Sequence, residues 1–345
     1  MKRYLSLALA VLLAFSLVAL VGCGSSSSSI KTGLGIVTNI SRSKAATADA
    51  AGTAEAYSTI AVVTFDATGK ITKCTLDAAQ TQIQFDATGK ITTDLATIPQ
   101  TKDELGDAYG MKKASSIGKE WNEQAAAFAM WCVGKTADQV KGMQLKDTDS
   151  EKGVPNEADL TASVTVSVGD FIAAIQKASA NAQPGAVSGN NYKSGLGVVT
   201  NIARSKDATA DAAGVAEAYS TLAAVTVDGS GKIVACSIDA AQTQVKFDTT
   251  GAITSDMTAP VQSKDELGDA YGMKKASSIG KEWNEQAAAF AQWCVGKTLS
   301  EVQGLKVKDT DTEKGVPDSA DLAASVTVSV SDFLAAVTKA VNNAA

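Results

Sequence analysis

The first part of the chain is rich in β-branched and apolar runs that polar turns separate. Thr53–Phe65 and Ile71–Asp77 are such runs, and they flank the glycine-containing turn Asp66–Lys70, so they predict an antiparallel hairpin. The apolar-rich strand Gly33–Arg42 precedes this hairpin and the strand-like segment Thr81–Asp86 follows it. Together these runs predict a β-meander.

Helical patterns follow the meander. Apolar residues recur at the spacing of one helix face at Ile117, Trp121, Ala125, Phe128 and Cys132. They predict a helix that Ser116 caps and that ends near Val133. Capping boxes at Thr136 and Thr298 predict a short helix in each half.

A last helix is predicted roughly over Val168–Ala180. It would bury the apolar residues Phe171, Ile172 and Ile175. Ser167 is its expected N-cap, with Asp170 three residues further on.

A single offset of 162 residues lays the second half of the chain on the first without a gap. It places Thr165 on Thr327, and the run Lys102–Ala129 recurs letter for letter as Lys264–Ala291. A unit of this length is long enough to form a domain with its own core. The chain is therefore predicted to be α+β, with two tandem homologous domains that are each an antiparallel β-meander followed by helices.

The repeat also gives the domain boundaries. Residues 33–181 form the first copy, residues 193–345 form the second, and residues 182–192 form a linker that contains proline, glycine and asparagine. We expect each copy to fold independently. Relative motion of the two copies is expected unless the interface between them is large and apolar.

The N-terminus has the features of an export signal. Lys2 and Arg3 precede the apolar stretch Leu5–Val21, which is too short and too abruptly ended for a comfortable membrane span. Leu20–Cys23 resembles the lipobox of bacterial lipoproteins. The resemblance implies that residues 1–22 are removed and that Cys23 receives a diacylglyceryl group. Residues 23–32 would then tether the protein to the outer face of the cell membrane. The alternatives are an ordinary cleaved signal and an uncleaved anchor.

Composition excludes several classes of function. The formal net charge is −6 and the only arginines are Arg3, Arg42 and Arg204, which argues against nucleic acid as a partner. The chain contains no histidine, so Ser-His-Asp and Cys-His catalysis and His-ligated zinc or haem are excluded. No nucleophile–base pair is visible, so no catalytic residue is assigned.

The segment ahead of the last helix resembles a flavin attachment motif. It runs from Asp159 through Thr165 to Ser167 as DLTASVTVS. The corresponding residues of the second copy are Asp321, Thr327 and Ser329. The segment looks like the FMN-binding domain family of bacterial surface electron-transfer proteins, in which Asp and then Ser-Gly-Ala-Thr precede a C-terminal helix. In that family a flavin transferase joins the threonine to the phosphate of FMN, so the resemblance implies FMN on Thr165 and Thr327.

Local physics bears on this assignment in two ways. A threonine just outside a helix N-terminus places a bound phosphate against free N–H groups and the positive end of the helix dipole. Ser163-Val164 replaces the family's Gly-Ala, and valine is expected to obstruct a bulky group near the backbone. Three interpretations stay open: covalent FMN, a non-covalent flavin or other small ligand, and a cofactor-free β-branched strand that leads into a capped helix.

The identical run Lys102–Ala129 provides a second candidate. Trp121 and Phe128 lie within this run, and Trp131 lies just beyond its end. They would wall an isoalloxazine ring, and the loop Tyr109–Met111 ahead of Lys112 and Lys113 would suit an anionic ligand. The alternative is that the aromatic stripe belongs to the hydrophobic core.

The cysteines form a repeated pair. Cys74 shares a strand face with Leu76, and Cys132 lies on the apolar stripe of a helix. Cys236 and Cys294 repeat this pair in the second copy. Each pair is either a strand-to-helix disulfide, which an exported protein permits, or two buried thiols.

An acidic loop in each copy has some features of a calcium loop. Asp147–Glu151 and Asp309–Glu313 alternate carboxylates with hydroxyls. The turn glycine is displaced and no bidentate glutamate follows, so a solvated acidic loop is preferred and no metal is assigned.

The sequence as a whole favours a lipid-anchored binding module on the bacterial cell surface. The more specific hypothesis is that this module carries FMN and takes part in extracellular electron transfer, with a flavin transferase and redox proteins as its partners. The alternative is a cofactor-free structural or interaction lipoprotein of the cell envelope.

Overall fold

The computed structural model describes residues 27–189 and 191–345. The predicted signal peptide and Cys23 lie outside these residues. In the described part of the chain, no helix is both long and apolar enough to cross a bilayer. The two halves each form an antiparallel sheet followed by helices, which confirms the predicted α+β class with two tandem homologous domains.

Within the described residues, the two repeats share the same order of three strands and four helices, to which the second half of the chain adds one short strand and one short helix. The first contains β1 (Ser27–Asn39), β2 (Gly52–Phe65), β3 (Ile71–Phe85), α1 (Lys102–Leu105), α2 (Trp121–Cys132), α3 (Ala137–Lys141) and α4 (Gly169–Ala180). The second contains β4 (Gln183–Ser188), β5 (Tyr192–Asn201), β6 (Gly214–Asp228), β7 (Ile233–Phe247), α5 (Lys264–Leu267), α6 (Trp283–Cys294), α7 (Leu299–Gln303), α8 (Ala320–Ala323) and α9 (Ser331–Asn342).

One continuous strand replaces the two short strands predicted on either side of residue 78. β3 runs from Ile71 to Phe85 and pairs antiparallel with β2 along its length. Ala78 and Ala79 are buried, so small apolar side chains continue the strand where β-branched residues are missing. The predicted hairpin between β2 and β3 is present, and Asp66 Oδ1 accepts the N–H of Thr68 and of Lys70 in its turn.

The segment 182–192, predicted as a linker, contains β4. This strand pairs antiparallel with the first half of β1, from Thr32–Gln183 to Ser27–Ser188. It lies at the edge of a sheet with the order β3-β2-β1-β4. The edge position accommodates Pro184, because an edge strand leaves part of its backbone unpaired. β1 accordingly begins at Ser27, within the predicted tether, and not at Gly33.

Helix α2 begins at Trp121 and not at Ser116. Gly118 has a φ of +64°, a left-handed conformation that interrupts the predicted helix. The helix begins after Glu120, whose backbone N–H donates to the Glu123 carboxylate at 2.7 Å. The capping boxes predicted at residues 136 and 298 are present.

The two sheets pack face to face through an apolar layer. Its central cluster consists of Leu34, Ile36, Ile60, Val62, Ala79, Leu196, Val198, Leu222 and Ala224. A second cluster stacks Phe85 on Phe247, with ring centroids 4.1 Å apart. Because this interface is apolar, the two repeats form one sandwich. Relative motion of the repeats was expected only without such an interface, so the two repeats are expected to stay packed together.

Polar contacts across the interface follow a two-fold pseudosymmetry. Four buried hydroxyl groups form a closed ring at 2.7–3.1 Å, those of Thr32, Thr64, Ser194 and Thr226. Lys177 pairs with Glu266, and Lys339 pairs with Glu104. The 162-residue offset converts each of these ion pairs into the other, so equivalent faces of the two repeats meet.

Candidate functional site

Gln124 joins the two segments that the sequence analysis selected. It lies on α2 within the run Lys102–Ala129, and its side chain is fully buried. Its Oε1 accepts hydrogen bonds from the N–H of Thr165 at 2.8 Å, from the Thr165 hydroxyl at 3.2 Å and from the N–H of Val166 at 3.2 Å. The second repeat makes the same three contacts with Gln286, Thr327 and Val328. One buried carboxamide therefore holds the threonine loop in each repeat.

The loop around Thr165 is irregular, so the β-branched strand expected under the cofactor-free interpretation is absent from residues 164–166. Val164 is fully buried among the core residues of the first repeat, whereas Thr165 is partly exposed. The valine side chain belongs to the core and not to the surface around the threonine hydroxyl. This removes the physical reason for the expected obstruction by valine.

The helix after this loop begins later than predicted. α4 starts at Gly169, and Val168 occupies the N-cap position without a side-chain hydrogen bond. Ser167, the predicted cap, is exposed one residue earlier, and the N–H of Val168 donates to the Gly153 carbonyl at 3.0 Å. In the second repeat Val330 likewise occupies the N-cap position that was predicted for Ser329. The N-cap side chain of neither helix bonds to the first-turn N–H groups, which can donate to an anion, and each first turn also carries a carboxylate, Asp170 or Asp332.

The two aspartates of the proposed motif lie at the surface. Asp159 and Asp321 are exposed, and the hydrogen bonds of the Thr165 and Thr327 side chains go to the glutamines instead. The structure therefore joins each threonine to a glutamine and not to the motif aspartate.

A buried lysine, which was not expected from the sequence, lies in an aromatic cage beside the first residue of α2. Lys102 is 3% exposed and its Nζ donates to the Tyr57 hydroxyl at 3.0 Å. The Nζ also lies 4.5–4.9 Å from the ring centroids of Tyr57, Tyr109 and Trp121. Burial lowers the pKa of Lys102 to about 8 and raises the pKa of Tyr57. Lys264 occupies the same cage in the second repeat.

A buried carboxylate belongs to the same cluster. Glu55 is 4% exposed, and its Oε2 accepts hydrogen bonds from Gln80 and Gln82 at 3.1 and 2.6 Å. Its Oε1 has no hydrogen-bond partner among the described residues and lies 3.8 Å from the Arg42 guanidinium. Arg42 is more than half exposed and covers the Tyr57 ring at 4.6 Å. The Arg42 side chain and the packed aromatic rings therefore separate this cluster from solvent.

The aromatic stripe of α2 is part of the core. Phe128 is fully buried and Trp121 is 4% exposed, and both pack against Phe171 of α4. Trp131 is partly buried against Phe128. The core interpretation of this stripe is therefore correct.

The loop that follows α1 is held in place by one carboxylate. Glu120 accepts the backbone N–H of Met111 and of Lys112, both at 2.8 Å. Lys112 and Lys113 are exposed beside a cavity of about 240 Å³. The predicted adaptable loop is thus fixed, while its two lysines remain available to solvent.

The cysteines of each pair lie next to each other. Cys132 is fully buried and Cys74 is partly buried. A hydrogen bond to Cys132 and burial raise the pKa of the Cys74 thiol well above its ordinary value, and Cys294 with burial does the same to Cys236. These protonated thiols are slow nucleophiles at neutral pH.

Mild oxidation is expected to join each cysteine pair within its repeat. Thiol counting under denaturing conditions should then give none of the four thiols, and the free energy of unfolding should rise by about 2–4 kcal/mol for each disulfide formed. A Cys74→Ser variant should keep one free thiol, at Cys132, in its first repeat. Four titratable thiols after oxidation would show that the pairs are inert.

The acidic loops are engaged by lysines. Lys146 pairs with Glu151 at 2.7 Å, and Lys308 pairs with Glu313 at 2.8 Å. Within residues 27–189 and 191–345, no group of three or more carboxylates and thiols is arranged to hold a metal ion.

Comparison with known proteins yields one local likeness. A segment of 50 residues is 46% identical to chlorophenol reductase from Desulfitobacterium hafniense, and it covers 14% of this chain and 15% of that protein. No family model matches the chain, and no solved structure matches it.

Proposed function

We propose that the protein is a lipid-anchored binding module of the bacterial cell surface, and that Thr165 and Thr327 carry FMN for extracellular electron transfer. The clamp formed by Gln124 on Thr165 carries the proposal, because it occurs at the same position in both repeats. It orients a partly exposed hydroxyl ahead of a helix whose first turn has no capping side chain. The lipobox at Leu20–Cys23 supports the anchor.

The residues around Thr165 fit a phosphate better than they fit a flavin ring. Gln124 accepts the hydroxyl hydrogen and keeps the oxygen in place, and the N–H groups at the start of α4 favour negative charge. The aromatic residues expected to wall the ring are in the core. A flavin on Thr165 would therefore hold its ring outside the core. FMN, when bound, supplies one- and two-electron transfer.

The local likeness agrees with a redox role. The relative carries the name of a reductase, and the matched segment is a small part of both chains. This likeness adds support for redox chemistry and none for a particular substrate.

A cofactor-free structural or interaction lipoprotein is the second candidate. The observation that favours it is the continuous apolar layer between the sheets, together with the burial of the aromatic stripe. Such a sandwich is a rigid unit suited to display on a tether.

Intact-mass measurement of the protein purified from its native host separates the two candidates. The flavoprotein should carry one FMN less one water at each threonine, and a diacylglyceryl group at Cys23. Thr165→Val together with Thr327→Val should remove the flavin mass and leave the fold intact. Thr161→Val is the matched control, since Thr161 is exposed nearby and its hydroxyl bonds only to the Ala158 carbonyl among the described residues.

Two results would overturn parts of the proposal. A lipidated chain with unmodified threonines, even when co-produced with a flavin transferase, would favour the structural candidate. A Cys23→Ala variant that stayed on the membrane at normal size would contradict the lipid anchor.

A further inference from the structure

Each repeat places three matching lysines at one end of its sheet. The 162-residue offset relates them in three pairs: Lys31 and Lys193, Lys70 and Lys232, and Lys135 and Lys297. Lys31 pairs with Phe65, the last residue of β2, directly before the turn that Lys70 ends. Lys70 forms a β-bridge to Thr136 and so lies beside Lys135. The second repeat makes the same pairings, Lys193 with Val227 and Lys232 with Thr298.

The two sets of lysines lie at the same end of the sandwich. Thr32 and Ser194 directly follow the first lysine of each set, and both belong to the closed ring of buried hydroxyl groups between the sheets. The stack of Phe85 on Phe247 marks the opposite end, because Phe85 pairs with Gly52 at the start of β2. β2 has 14 residues, so the two ends lie roughly 40 Å apart. We call the end that carries the six lysines the basic end.

The basic end is positive on a protein whose formal net charge is −6. Lys31, Lys70, Lys193 and Lys232 are exposed, and Lys135 and Lys297 are partly exposed. The carboxylates that lie among these lysines are those of Asp66, Asp138, Asp228 and Glu301. Asp66 and Asp228 accept N–H groups of their own turns. Six lysines against four carboxylates leave an excess of positive charge, which suits an anionic surface.

Aromatic and apolar side chains accompany the lysines. Lys135 Nζ lies 3.9 Å from the centroid of the Trp131 ring, and Lys297 Nζ lies 4.4 Å from that of Trp293. Both tryptophans are partly exposed, and Val133 is 46% exposed between Trp131 and Lys135. Tryptophan and lysine together are typical of a membrane–water interface, where apolar side chains enter the boundary between head groups and acyl chains.

The chain also enters the sandwich at the basic end. Lys31 is the first residue of β1 that pairs with β2, and residues 27–30 precede it. Cys23, the predicted lipidation site, lies four residues before Ser27, and four residues span at most about 14 Å. A lipid on Cys23 would therefore hold the basic end close to the bilayer surface.

We propose that the basic end docks on the anionic head groups of the membrane that the Cys23 lipid enters, which rests on the proposed lipid anchor. The lipid attaches the protein, and the lysines orient it. Attraction of a lysine to anionic lipids acts within about one Debye length, ~8 Å at physiological ionic strength. Only the end that the short tether brings to the surface is attracted in this way, so the sandwich stands end-on.

End-on docking turns the threonine loops away from the membrane. α4 packs closely on β1, with Ala178 against Gly33 and Ala174 against Gly35, so its C-terminal end lies nearest the basic end. The helix has 12 residues and is about 18 Å long. Thr165 precedes the other end of the helix and is therefore held away from the head groups. α9 packs on β5 in the same way, so a flavin on either threonine would face redox partners outside the membrane.

Lysine modification on vesicles tests the docking. The protein, purified from its native host, is reconstituted into vesicles of phosphatidylcholine alone or mixed with phosphatidylglycerol, and treated with an acetylating reagent at low salt. Acetylation of Lys31, Lys70, Lys193 and Lys232 should slow about tenfold on the anionic vesicles. Lys44 and Lys206 are the internal control, because they are exposed, are related by the offset and lie at the opposite end. Salt at 1 M shortens the Debye length to about 3 Å and should restore the rates.

Charge-reversed variants make the test specific. Lys70→Glu together with Lys232→Glu should restore the acetylation of Lys31 and Lys193 on anionic vesicles. Lys44→Glu together with Lys206→Glu changes the net charge equally and should leave their protection unchanged. Equal acetylation of the basic end on both kinds of vesicle would overturn the proposal, and so would protection of Lys44 and Lys206 instead.

The intact mass of the same sample separates the docking from the anchor. A lipidated chain whose basic end is not protected would reject the docking and leave the anchor in place. A chain without lipid that still shows the salt-sensitive protection on anionic vesicles would reject the anchor and support the docking surface.

Discussion

Replacing Phe85 with alanine is expected to lower the free energy of unfolding of the whole protein by about 3–5 kcal/mol, the range for a fully buried phenylalanine. Phe85 is fully buried and stacks on Phe247 of the other repeat. Phe247→Ala should cost as much for the same reason. Denaturant unfolding should show one transition, because the two sheets share the apolar layer.

A double-mutant cycle tests whether the stack couples the repeats. The two substitutions together should cost less than their sum, with a coupling of about 0.5–1.5 kcal/mol for an aromatic pair. Phe171→Ala is the control, because Phe171 contacts Trp121 and Phe128 of its own repeat and should combine additively with Phe247→Ala. Additive losses at Phe85 and Phe247 would mean that the two faces do not meet.

Stability is expected to fall as the pH rises from about 4 to about 7. Burial raises the pKa of Asp77 to about 7 and also raises the pKa of its counterpart Asp239. The unfolded aspartates titrate near pH ~3.9. Between these values the folded protein holds protons that the unfolded chain has lost, so this stability is fully present at low pH and is lost as the pH rises through about 7. At about 1.4 kcal/mol per pKa unit, the loss for Asp77 is of the order of a few kcal/mol.

The buried lysines have the opposite effect at higher pH. Burial lowers the pKa of Lys102 and Lys264 to about 8, so the folded state releases protons that the unfolded chain keeps up to pH ~10.4. Stability should therefore increase again above about pH 8 and pass through a minimum near neutrality.

Urea unfolding across this pH range checks both slopes. Asp77→Asn should flatten the fall of stability between pH 4 and pH 7, because an amide does not titrate in this range. The fold should be kept, since the amide oxygen can still accept the N–H groups of Ala78 and Asp103. Asp86→Asn is the control, since a hydrogen bond from Thr88 lowers the pKa of that aspartate and no slope above pH ~4 should change. A monotonic rise of stability from pH 4 to 7 would contradict the assignment.

The fold class could be predicted because the internal repeat, and the order of strand patterns followed by helix patterns, can be recognised directly in the sequence. The strand β4 could not, since Gln183–Ser188 contains proline and glycine and becomes a strand only through pairing with β1. The inter-sheet layer was missed for a related reason. β2 is buried along almost its whole length, and a run that is apolar on both faces does not reveal which partner covers the second face.

The site was only partly accessible to sequence reasoning. Thr165 was selected by its motif, but its partner Gln124 is a polar residue on a helix, a type that usually faces solvent. Lys102 was missed on the same ground, because lysine is almost never fully buried. Its position 45 residues after Tyr57 gives no local signal of the cage, which forms only when Tyr57 of β2, Tyr109 and Trp121 of α2 meet around the lysine.

The pseudo-two-fold interface has an evolutionary consequence. A surface that meets its own image is isologous, so a single ancestral copy would have assembled as a homodimer through this surface. In such an ancestor every mutation changed both sides of the contact at once. Duplication and fusion released the two sides to diverge separately, as Thr32 against Ser194 and Val62 against Ala224 illustrate, while the paired phenylalanines at the symmetry-related positions have stayed the same.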